Sequence, residues 1–118
     1  MTPIQQMMLG LGGVPKIKYV DEIFSTYLWK GDGSSGRTIT NNIATDEGTL
    51  TWIKNRSSDA QNVLTDTVRG ANETLYSDST NANYTHSSLL TAFTATGFTV
   101  GSDAYVNGSG DDLSLIHI

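Results

Sequence analysis

Two polar, glycine-rich segments carry most of the residues able to do chemistry. Asp32, Ser34 and Ser35 lie in KGDGSSG (30–36), and Asp103, Tyr105 and Asn107 lie in GSDAYVNGSG (101–110). Carboxylates, hydroxyls and amides on turns can offer oxygen ligands to a hard cation or hydrogen bonds to a polyol. The calcium-loop pattern of EF-hands is absent, and Asp and Gly in turns ordinarily serve turn geometry. The expectation is therefore no metal and no cofactor, with calcium at Asp32 or Asp103 as the alternative. His86 is followed by Ser87 and Ser88. A Ser-His-Asp relay can be drawn there, but no glycine elbow surrounds it, and His86 reads as a surface histidine. Asp46 and Glu47 are adjacent and point apart on an extended chain, so they make no acid–base pair for glycoside hydrolysis. No catalytic residue is expected. Gly31, Gly33 and Gly36 match a dinucleotide-binding spacing only formally, because no helix follows them. Tyr84 and Tyr105 sit in polar loops and are candidates for stacking on a sugar, whereas Trp29 and Trp52 fall on strand patterns and read as core.

The elements that must position these residues read as strands. An aromatic run at Phe24–Lys30 meets the glycine-serine loop at 31–36, and a β-branched run follows at Arg37–Ile43. Together they read as a hairpin-like pair. Further strands are expected at Thr49–Arg56, Asn62–Arg69, Thr74–Ser77 and Phe98–Gly101. Period-two alternation puts Leu50, Trp52, Lys54 and Arg56 on one face, with Leu50 and Trp52 starting it in the core. Asp66 shares a face with Leu64 and Val68 and wants a cation, Arg69 or Arg56. Ser87–Phe93 reads as the one helical turn, capped by Ser87 or Ser88. Asn107-Gly108 reads as a tight turn.

Composition agrees with this reading. Thr, Ser, Gly and Asn supply 48 of 118 residues, while Lys and Glu supply seven. That is material for pleated strands and turns and poor material for helix surfaces. One domain of this length can bury a core without staples. The formal net charge of -5 disfavours a phosphate-backbone partner. The chain has no cysteine, which excludes disulfide and thiolate chemistry. Residues 7–14 form the longest apolar-looking run, which is far short of the ~20 residues a spanning helix needs. Neither a membrane nor a nucleic-acid partner is expected.

Residues 1–23 read as a partly helical N-terminal arm, either an assembly contact or a leader, and residues 24–112 as the folded module. The last six residues, LSLIHI (113–118), resemble the in-frame translation of a transposon end used in sequencing libraries. They are expected to be a non-native tail left out of the fold, on a module that is C-terminally truncated and left with an unpaired sheet edge; the alternative is a natural C-terminal strand carrying apolar Leu113, Leu115, Ile116 and Ile118.

Five segments, taken in order, resemble a domain of bacteriophage virion proteins: YLWKGDGSSG, RTITNNI, GTLTWIKNR, VLTDTVRGANETLYSDST and FTATGFTVGSDAYVNGSG. That domain is common in tail and tail-fibre-like proteins and in environmental sequences. It is similar to concanavalin A-like (LamG-like) jelly-roll sandwiches. The resemblance implies an all-β, antiparallel β-sandwich and a non-enzymatic structural module of a phage virion, made in the host cytoplasm. Its partners would be other virion proteins or further copies of itself, and a host-surface glycan. The alternative is a polysaccharide-degrading domain using carboxylates. The family brings no catalytic residues to carry over. The loop residues expected to meet a ligand are Asp32, Ser34, Ser35, Tyr84, Asp103, Tyr105 and Asn107.

Overall fold

The computed structural model describes residues 17–118. The helix expected near the start of the arm lies outside these residues. Among the described residues the chain forms nine strands and two single-turn helices. In chain order they are α1 (Val20–Ile23), β1 (Ser25–Lys30), β2 (Arg37–Thr40), β3 (Leu50–Asn55), β4 (Val63–Asp66), β5 (Glu73–Tyr76), β6 (Tyr84–Thr85), β7 (Leu90–Thr94), β8 (Gly97–Val100), α2 (Ala104–Asn107) and β9 (Asp112–His117). The strands make a six-stranded sheet of order β1-β9-β3-β4-β5-β6 and a three-stranded sheet of order β2-β8-β7. Every pairing is antiparallel. The all-β sandwich expected from composition is what forms. No helix among the described residues is long and apolar enough to cross a membrane.

The core lies between the sheets. Trp29 from β1 meets Phe98 from β8 edge-on, with centroids 6.3 Å apart. Ile39, Ile53, Val63, Leu89, Leu90, Val100, Val106, Leu113 and Leu115 close the cluster around them. Burying these side chains is the main favourable term available to a chain without disulfides.

The opening strand–loop–strand is not a hairpin. β1 pairs with β9 and β2 pairs with β8, so the glycine loop carries the chain from one sheet to the other. Six residues are enough to change layers, and Gly33 and Gly36 supply the positive φ the path requires (71° and 81°). At Gly31 the loop runs so close to the α2–β9 turn that a Cβ would stand 2.0 Å from the Gly108 carbonyl oxygen.

β3 alternates as expected but with the opposite face inward. Thr51, Ile53 and Asn55 are buried, while Trp52 is 42% exposed. The inner face accepts small and polar groups because their partners are close: the Thr51 hydroxyl donates to the Thr65 carbonyl at 2.9 Å. Trp52 has no such slot and stays outside. The partner proposed for Asp66 is Arg69, whose Nε lies 2.6 Å from its carboxylate. Burial is the largest influence on Asp66 and pushes its pKa up. Bonds and charge from Arg69, with the Val68 amide, outweigh it and leave the pKa lowered.

Residues 87–93 hold no helical turn. Leu90–Thr94 is a strand paired with β8, with a register shift between Leu90 and Ala92 that leaves Thr91 as the extra residue of a bulge. The pairing with β8 and the burial of Leu89 and Leu90 override the helical spacing.

The C-terminal hexapeptide lies inside the fold. Within β9, Leu113, Leu115 and His117 point into the core, and Ser114 and Ile116 point out. The strand fills the slot between β1 and β3 and pairs with both. The sheet therefore extends beyond the expected boundary at 112, and the edge expected to be open there is filled. Period-two alternation is what that slot selects, and LSLIH has it.

Candidate functional site

α2 joins two clusters of the predicted contact residues. Its N-cap is Asp103, whose carboxylate accepts from the Tyr105 amide at 2.9 Å. Its last residue is Asn107, fully buried. The tight turn expected at Asn107-Gly108 is displaced by one position: Asn107 ends the helix, and the turn follows, closed by the Asp111 amide on the Gly108 carbonyl at 3.0 Å.

The first cluster pins the glycine loop. The Asn107 amide Nδ2 donates to Asp32 Oδ1 at 2.8 Å and to the Ser34 carbonyl at 2.9 Å. Asn107 Oδ1 accepts from the Asp32 amide at 3.2 Å and from Arg37 Nη1 at 3.5 Å. Asp32 also accepts from the Ser34 amide and hydroxyl at 2.9 and 2.7 Å. The Ser34 side chain, then its backbone, then Asn107 hold the Asp32 carboxyl at about 2, below its ordinary 3.8; Arg37 adds to this against a small opposing effect of burial. Every polar atom of the Asn107 side chain is occupied by the fold, and no ligand can reach it. Ser35 is exposed on the same loop and makes no side-chain hydrogen bond among the described residues.

The second cluster is aromatic. Tyr76 lies between Tyr84 (centroids 5.5 Å) and Tyr105 (6.0 Å, edge-on), and its hydroxyl contacts that of Tyr84. Tyr84 sits on strand β6 rather than in a loop and stands edge-on to His86 at 5.8 Å. Burial, then the charges of Asp103 and Tyr105, raise the Tyr84 pKa. His86 lies between Ser88 and Asp103: Ser88 Oγ is 3.2 Å from Nδ1, and Asp103 Oδ2 is 3.8 Å from Nε2. A relay needs hydrogen bonds on both ring nitrogens, and only the Ser88 side has one. Tyr84, Asp103 and Tyr105 are thus brought together, and Asp32, Ser34 and Asn107 are brought together elsewhere. Among the described residues no three His, Asp or Glu side chains converge as a metal site. Both carboxylates considered for calcium are engaged by protein donors.

Sequence reasoning missed a third surface, the outer face of the six-stranded sheet. The registers align Thr26, Ile116, Trp52, Leu64 and Leu75 in one row across five strands. Leu28, on the same face, is 74% exposed. Beside this row lies a groove of about 450 Å³ whose walls include Tyr27, Leu28, Trp52, Lys54, Arg56 and Asn62. The signal was present in β3, where Lys54 and Arg56 fall in phase with Trp52. Two charges on one strand face mark the solvent side for every residue in phase with them.

Residues 20–114 match a family described as a domain of unknown function, DUF7483. No curated protein and no solved structure matches the chain.

Proposed function

The chain belongs to the DUF7483 family, and we propose that this member is a non-enzymatic module of a phage virion, in the tail or a tail fibre. Its role is assembly or adhesion at a host-surface glycan, and its sandwich is a concanavalin A-like jelly roll. One observation carries the binding role. Asp32, Ser34 and Asn107 in the end loops bond one another, while the outer face of the six-stranded sheet leaves Leu28 and Trp52 in solvent. A large aromatic exposed on a rigid sheet, beside a groove, is the usual form of a contact surface. The five segments from YLWKGDGSSG to the VNGSG turn support the virion setting through their resemblance to phage tail modules.

The test has two arms. Immunogold labelling of virions carrying the intact gene product should place it on the tail, and the purified protein should be retained on a glycan array. Labelling of no virion structure, with no retained glycan, would overturn the reading.

A further inference from the structure

The groove beside Trp52 differs in charge from the rest of the molecule. The chain carries 12 acidic and seven basic residues. The groove walls carry Lys54 and Arg56 and no carboxylate. Each of the other described basic side chains is paired with an acid: Lys18 with Glu47, Lys30 with Asp112, Arg37 with Asp32, and Arg69 with Asp66. Lys54 reaches only the Ala60 carbonyl. Arg56 makes no side-chain hydrogen bond or ion pair among the described residues, and neither does the Asn62 amide. The two described cations left without a carboxylate therefore lie in one groove, next to the more exposed of the two tryptophans.

We infer that this groove binds a carboxylated glycan, with a sugar ring on Trp52 and its carboxylate on Arg56. This rests on the adhesion half of the proposed function and names the ligand class and the residues. The C–H face of a pyranose is apolar and packs on an indole, while its hydroxyls take donors such as the Asn62 amide. A guanidinium presents paired N–H donors that match a carboxylate, and Lys54 adds a second positive charge. In a protein of net charge -5, a local cationic groove is where an anionic sugar is attracted rather than repelled. A second groove of about 500 Å³ shares Leu28 and Arg56 with the first and is also lined by Asp112, paired with Lys30, so a sugar that continues past Arg56 is a neutral one. Two isolated cations are too few to hold a nucleic-acid backbone.

Paired ligands test the inference on the full chain. Sialyllactose and lactose differ by the acidic sugar, and oligogalacturonate and dextran oligomers extend the comparison. By calorimetric titration, sialyllactose or oligogalacturonate should bind and their neutral counterparts should bind at least roughly tenfold more weakly. Binding should weaken as salt rises. Trp52→Ala and Arg56→Ala should each reduce affinity about tenfold or more, Arg56→Lys should recover part of it, and Val68→Ala, at an exposed turn, should leave it unchanged. Both groove positions are exposed, so circular dichroism should show the variants folded. Equal binding of neutral and acidic members, or acidic binding indifferent to Trp52→Ala and Arg56→Ala, overturns the inference while leaving adhesion intact. If no glycan binds and Trp52→Ala instead abolishes self-association in sedimentation, the groove is an interface between copies, and both readings of adhesion fall.

Discussion

Asn107 and Asp32 clasp each other across 75 residues of sequence: the Asn107 amide donates to the Asp32 carboxylate at 2.8 Å, and the Asp32 backbone amide returns a bond to Asn107 Oδ1 at 3.2 Å. The pair fastens the loop between the sheets to the helix that precedes the last strand.

Removing that clasp should destabilise the fold. Asn107→Ala removes a fully buried side chain and its four hydrogen bonds to the loop and Arg37, and should cost roughly 2–4 kcal/mol. The urea midpoint should fall with an unchanged m-value. Ser35→Ala, on the same loop but exposed, should stay within about 0.5 kcal/mol of the parent. Equal effects at the two positions would show that the clasp contributes little.

The two tryptophans should behave oppositely. Trp29 is 7% exposed and packs on Phe98, so Trp29→Ala should cost about 3–5 kcal/mol. Trp52→Ala, on the solvent face, should cost under about 1 kcal/mol. Thermal melts of both variants check the inside–outside assignment of the six-stranded sheet.

Acid should weaken the protein in two separate windows. His117 is fully buried, and burial lowers its pKa from 6.5 to about 4. The unfolded chain therefore takes up this proton first. Stability is complete above pH 6.5 and falls, by on the order of 3 kcal/mol, as the pH drops toward 4. His117→Gln should flatten that slope. Asp32 acts lower: its folded value of about 2 lies under 3.8, so its contribution is present above pH 3.8 and is lost as the pH falls toward 2. Asp32→Asn should alter only this second limb. Melting temperatures recorded from pH 8 to 2, an interval chosen to bracket roughly both windows, separate the two groups.

Shortening the chain to end at Asp112 should abolish cooperative folding. The cut removes two buried leucines, His117 and the ladders to both β1 and β3. Each leucine alone is worth about 2–5 kcal/mol, against a total of about 5–15 for a domain. A sharp circular dichroism melt in the shortened chain would mean that β1 and β3 close directly on each other.

Much of the architecture is legible in the residues. Six strands fall within a few residues of their expected places because β-branched runs between glycine and asparagine turns have few other uses. The Asp66–Arg69 pair is legible because Arg69 stands three residues on, across the turn that ends β4, although Val68 lies exposed in that turn rather than beside Leu64 on the sheet. What fails is what depends on partners distant in sequence. Ser87–Phe93 has helical spacing and becomes a strand because β8 is beside it. β3 shows its period but not which face is inward, since Thr51 and Asn55 are buried only where Thr65 and the α2 segment supply their bonds. The loop residues chosen for ligand contact divide for the same reason. Their polarity is visible in sequence, but whether Asn107 faces solvent or Asp32 depends on a contact 75 residues away.

The place of β1 in its sheet has a consequence for synthesis. Among the described residues its only strand neighbour is β9, and the Lys30–Asp112 contact across that ladder joins residues 82 apart. On the ribosome β1 leaves the exit tunnel early and waits, its edge open, until β9 follows. The six-stranded sheet cannot be assembled hairpin by hairpin from its beginning. It closes in a late step that joins β1 to β9, and such long-range closure makes folding slow and exposes β1 to pairing with neighbouring nascent chains.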